Sequence, residues 1–126
     1  LELVEVEREV QEAAIEHLGQ RITRIDTLGT YSCRPTTGHS GNLSQHAFGN
    51  AIDLARFQPR RGQAAVVVRD YERERTDPTS ARGRFLRALE SRLRRLSGLS
   101  FVIGPRQNDA HRDHFHIDRA LRWWHW

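Results

Sequence analysis

At 126 residues and 14.6 kDa, the chain is long enough for one compact domain with a modest hydrophobic core. Only 37% of it is hydrophobic and no apolar run approaches about 18 residues, which excludes a membrane-spanning helix. The net charge is +4 and every one of the 20 basic residues is arginine, which suits anionic surroundings. Even so, Arg8, Arg24, Arg73, Arg84 and Arg92 are interleaved with Glu and Asp, so a solvated surface explains them better than a nucleic-acid partner does.

Glu2 to Leu18 carries apolar residues at Leu3, Val6, Val10, Ala13, Ala14 and Leu18, a helical spacing that Gly19 should end. Arg21 to Leu28, with Ile22, Ile25 and Leu28, is expected to be a strand. Gly29 to Leu43, rich in Gly, Ser, Thr, Asn and Pro, has the composition of a long loop, and loops of that length in a compact domain are more often functional than idle. Asn50 to Phe57 and Gln63 to Arg69, the latter with Val66, Val67 and Val68, are expected as strands, and Asp70 to Ser80 as an exposed connection. Thr79 to Leu96 is the clearest helix, with Phe85, Leu86, Leu89, Leu93 and Leu96 on one side and arginines on the other; Ser97 and Gly98 end it. Ser100 to Ile103 and His114 to Asp118 supply two further strands across a Gly-Pro-Asn turn region. Helices and strands mix without regular alternation, which predicts an α+β fold rather than a doubly wound parallel sheet.

Two stretches concentrate the chemistry. They are Ser44-Gln45-His46-Ala47-Phe48-Gly49-Asn50-Ala51-Ile52-Asp53 and His111-Arg112-Asp113-His114-Phe115-His116-Ile117-Asp118. Together they offer four imidazoles and several carboxylates, the donors a borderline metal such as zinc takes. His114 and His116 alternate with apolar Phe115 and Ile117, so in an extended strand both rings leave the same face. Scattered surface histidines have no reason to show that geometry, and the pattern points to a metal site. His17, His39 and His125 are each expected to be surface or packing residues.

Ser-x-His-x-x-Gly-x-Ala-x-Asp followed by His-x-His resembles the signature of the zinc D-Ala-D-Ala metallopeptidases, which share their fold with the Hedgehog signalling domain. The resemblance implies a small, mostly antiparallel sheet flanked by helices, with Zn²⁺ held by His46, Asp53 and His116. His111-x-x-His114-x-His116 is similar to the C-terminal motif of the penicillin-insensitive murein endopeptidases, where a histidine replaces the glutamate base of other branches. Tyr31-Ser32-Cys33-Arg34, the first motif, Phe85-Leu86-Arg87, Ile103-Gly104-Pro105 with Asn108, and the second motif together resemble the bacterial extensin-like C-terminal domain family, from about Tyr31 to Asp118. That family typically carries a second cysteine just before the Phe101 segment. Ser97, Gly98 and Leu99 stand there instead, so Cys33 has no intrachain partner and is expected to be a buried structural residue. Gln45 replaces a common glutamate, and neither departure touches a ligand.

Three protein ligands and one open position are what a hydrolytic zinc centre requires. Such a site lowers the pKa of bound water from 15.7 toward about 7 and supplies the nucleophile. His114 suits a base that takes the water's proton and returns it to the leaving amine, although a fourth-ligand or substrate-binding role is also open. His111 would assist His114, bind substrate or orient a ligand. Arg34 matches a family arginine that contacts a substrate carboxylate or the developing oxyanion, set against a structural ion pair. Ser44 would touch substrate or support a ligand, Gly49 allows close backbone packing, and Asp113 and Asp118 would hydrogen-bond the imidazoles. Trp123, Trp124 and Trp126 are expected to cap the terminal strand rather than stack on sugars.

The resemblance implies a hydrolase acting on peptidoglycan, of the DD-endopeptidase or carboxypeptidase type, working in the periplasm or after secretion. An antibacterial toxin is one such setting, and an immunity protein would then be its partner. Leu1 in place of Met, with no visible secretory signal, is what a domain excised from a longer protein would show. Two rivals stand beside this expectation: a zinc-containing cell-wall-binding or signalling module without catalysis, and an arginine-driven nucleic-acid binder.

Overall fold

A computed structural model describes residues 3–28, 32–33, 51–96, 101–107 and 112–118. The first helix, α1, is Leu3–Leu18, and Gly19 ends it in the left-handed conformation at φ +72°, with its N–H donating to Ile15 O at 3.2 Å. After it come β1 (Ile22–Thr27), β2 (Ser32–Cys33), β3 (Ala51–Pro59), β4 (Ala65–Val66), the short α2 (Val67–Asp70), α3 (Ala81–Arg94), β5 (Phe101–Ile103) and β6 (Phe115–Asp118). The strands lie in the order β2-β1-β3-β6-β5, every neighbouring pair antiparallel, with β4 pairing the far end of β3 at Arg56–Val66 and Phe57–Ala65. The fold is therefore α+β, with a mostly antiparallel sheet flanked by helices. Among the described residues no helix is long and apolar enough to cross a membrane.

One face of the sheet makes the core. Ile22, Ile25, Ile52, Leu54, Phe57, Phe115 and Ile117 join Val6, Val10, Ala13 and Ala14 of α1 and Phe85, Leu86, Leu89 and Leu93 of α3 in a single cluster. Each large side chain buried there contributes roughly 1.5–3 kcal/mol. Phe85 meets the Phe57 ring edge-on, with centroids 5.4 Å apart, which fixes α3 over β3. Gln11 fastens α1 to the start of β1 by a reciprocal pair, donating to Ile22 O and accepting from Ile22 N, both at 2.8 Å. Arg92 ties α3 to α1 through Glu9, Glu12 and Glu16.

Two bulges decide which side chains reach that core. Thr23 is the extra residue between the Ile22–Pro59 and Arg24–Gln58 pairs, and Ala55 the extra one between Thr27–Leu54 and Asp26–Arg56. Leu54 and Phe57, three apart, consequently face the same side. Asp53 and Arg56 are left on the opposite side with Asp26, which Arg24 and Arg56 hold at 2.7 and 3.1 Å.

Three expectations need correction. The valine run is not a strand beyond Val66: the Asp70 carboxylate captures Val66 N–H at 2.8 Å and Tyr71 N donates to Val67 O, so the chain turns into α2. The 70–80 connection is not simply exposed, because Asp70 and Tyr71 are buried and Glu72 accepts from the backbone and hydroxyls of both Thr79 and Ser80. Those donors, the Thr79 N–H first, pull the Glu72 carboxyl down to about 2. Finally, Ser32–Cys33 is not loop but a two-residue strand on β1. The rest of the 29–43 loop and the Ser97-Gly98 helix end lie outside the described residues.

Candidate metal centre

β3 and β6 build the described part of the site. Their register sets Ile52 opposite Ile117, Asp53 opposite His116 and Leu54 opposite Phe115. Ile52, Leu54, Phe115 and Ile117 all point into the core, so the period of two turns Asp53 and His116 out on the open face. There Asp53 Oδ1 and His116 Nδ1 lie 2.7 Å apart. His114, two residues before His116, sends Nε2 to within 3.8 Å of the same carboxylate oxygen. Its ring is only 10% exposed, and Nδ1 lies 2.7 Å from Asp113 Oδ1. The imidazole beside it holds the Asp113 carboxyl below its ordinary range, with burial opposing. Carboxylate, imidazole, carboxylate and imidazole thus follow one another from Asp113 through His114 and Asp53 to His116.

Of the expected zinc ligands, the described residues include Asp53 and His116, and they are in contact. His46 lies outside the described residues, as do Arg34, His111, Ser44, Gly49 and the Trp123–Trp126 tail. The side chains of Cys33 and Asp118 also lie outside them. Among the described residues no group of three or more His, Cys, Asp or Glu is arranged to hold a metal ion. The two described donors nevertheless suit zinc in type. Oxygen and nitrogen donors at about 2.0–2.1 Å from a tetrahedral ion sit about 3.3 Å apart, so the pair would open by roughly 0.6 Å to admit one. His17, taken as a surface or packing residue, lies 3.7 Å from Glu16 and is half-buried.

The open face holds more than the motifs suggested. Arg24, Asp26, Arg56 and Gln58 continue it along β1 and β3 away from Asp53, joined by Arg56 contacts to Asp26 and Gln58. The sequence motifs gave them no role. Their signal was the spacing of three between Leu54 and Phe57, which marks a bulge and sets Arg56 on the same face as Asp53.

The family model described as Extensin-like protein C-terminus matches residues 4–126. The chain belongs to that family. The match reaches back over α1 and β1, beyond the Tyr31–Asp118 span that carried the resemblance. Comparison with curated proteins and with solved structures gave no match.

Proposed function

We propose that this extensin-like domain is a zinc peptidase that hydrolyses a D-Ala-linked amide bond in peptidoglycan crosslinks or stem peptides. Its fold, in this reading, is the one shared by the zinc D-Ala-D-Ala metallopeptidases and the Hedgehog domain. The observation that supports it most is the β3–β6 register, which sets Asp53 against His116 with the buried imidazole of His114 at their side. Two family motifs far apart in sequence meet there, and a purely structural pair would not need a second histidine on the same face.

Asp53, His116 and, by the sequence motif, His46 would hold the ion. Zinc held there would supply Lewis acidity and make water acidic enough to act near neutral pH. His114 takes a proton at Nε2 and returns it to the leaving amine. Arg34 would keep the substrate-carboxylate or oxyanion contact that the motif resemblance implies. Ser44 would touch substrate or support a ligand, and His111 would assist His114, bind substrate or orient a ligand. The net charge of +4 suits an anionic, glycan-bearing substrate met in the periplasm or outside the cell.

Intact murein incubated with the zinc-loaded protein and separated by mass spectrometry tests the reading. New muropeptides with freed amino and carboxyl ends are expected, and the fragment masses name the bond cut. Murein left unchanged by the zinc-loaded wild type ends the peptidase proposal.

A further inference from the structure

We infer that Asp113 is a positioning residue for His114, fixing the ring as its Nδ1–H tautomer so that basic Nε2 faces the Asp53–His116 pair. Its catalytic consequence rests on the peptidase reading; the geometry does not. Asp113 sits in the turn that leads into β6, followed by His114 and then by Phe115, which is fully buried. Phe115 anchors the backbone in the core. The turn then brings the Asp113 carboxylate back onto its own neighbour's ring, at 2.7 Å from Nδ1. An ionised carboxylate only accepts hydrogen bonds, so the proton of a neutral ring must lie on Nδ1. The lone pair is then left on Nε2, the nitrogen directed at Asp53, 3.8 Å from Oδ1.

A solvated turn aspartate would have no reason to choose this contact over water, since its side chain is 47% exposed against 10% for the imidazole. The asymmetry matters. The contact sets a half-exposed carboxylate against a largely buried ring, so it bears on how that ring is oriented. An imidazole used as a base in a fixed place needs both its orientation and its tautomer set by the nitrogen that does not react. Asp113 meets that requirement through one contact, without touching either Asp53 or His116 in any described bond.

Ring ¹⁵N spectra of the metal-free full chain, taken at a pH where the imidazoles are neutral, test this directly. His114→Ala assigns the resonances. The wild type is expected to show a protonated-type Nδ1 and an unprotonated-type Nε2 at His114. Asp113→Asn, which can offer an N–H to Nδ1, is expected to move the ring toward the Nε2–H form, and Asp113→Glu to keep the wild-type pattern. A wild-type ring protonated at Nε2, or an unchanged pattern in Asp113→Asn, overturns the assignment. With zinc and a soluble muropeptide, Asp113→Asn should lower kcat by about 10²–10⁴-fold at unchanged KM and zinc content. Loss of zinc in step with activity overturns it too. A wild type that hydrolyses nothing removes the peptidase reading alone, because the tautomer comparison is made without substrate or metal.

Discussion

Asp53 and His116 are 63 positions apart in sequence yet directly opposed on β3 and β6, with Oδ1 and Nδ1 separated by 2.7 Å. Four core side chains around them, Ile52, Leu54, Phe115 and Ile117, leave the two no other face to occupy. If they are ligands, Asp53→Ala and His116→Ala should each weaken zinc binding by more than the 10–100-fold expected from losing an outer partner. Elemental analysis of folded protein after dialysis reads this out. Wild-type zinc stoichiometry in both variants would remove the metal centre.

His114 separates binding from turnover. Its Nε2 lies near Asp53, but the family resemblance gives the ligand place to His116. His114→Ala should therefore keep its zinc while losing about 10²–10⁴ in the rate of murein hydrolysis, the contribution of a positioned base. Zinc analysis and muropeptide release on one preparation decide the matter. Parallel loss of both would make His114 a fourth ligand instead.

The elements that sequence periodicity reached were those with unbroken patterns. α1 and α3 show the 3.6 spacing from end to end, and the alternation of Phe115, His116 and Ile117 made the strand character of β6 legible, with His114 just before it. β1 was harder, because the bulge at Thr23 puts Ile22 and Ile25 on one side at a spacing of three, which imitates a helix. α2 was missed because local propensity favoured a strand through three valines. A single carboxylate, Asp70, overrode it by accepting the Val66 N–H, while Tyr71 N–H closes the turn onto Val67 O. The Asp53–His116 partnership was legible as chemistry but not as geometry, since its register depends on burial on the far face of the sheet.

Gly104 is a sharp test of packing beside β5. A Cβ there would collide with the Glu90 carboxylate, which cannot swing aside because Tyr71 Oη donates to it at 2.5 Å and Arg94 holds it at 2.9 Å. Gly104→Ala should cost about 1–3 kcal/mol, the usual effect of overpacking a fixed site. Urea unfolding of Gly104→Ala, Glu90→Ala and the double variant checks it. The double variant should lose less than the sum of the single losses, because removing the carboxylate removes the collision. Strict additivity would mean that the two sites do not meet.

Glu7 offers a prediction in pH. It is 6% exposed on α1, and its Oε2 has no hydrogen-bond partner among the described residues. Burial pushes its carboxyl up to about 7 from 4.5, with the Arg21 charge opposing. A raised pKa means that the folded state prefers the protonated acid. The associated stability is complete below 4.5 and is lost as pH climbs through 7. Glu7→Gln keeps the shape and cannot ionise. It should match the wild type near the acid end of that window and exceed it by about 1–3 kcal/mol near pH 8, because a tenfold difference in proton affinity between folded and unfolded chain is worth about 1.36 kcal/mol. Urea midpoints for both proteins across the window measure the gap. A gap that stays constant with pH would show that Glu7 does not ionise differently in the folded and unfolded chain.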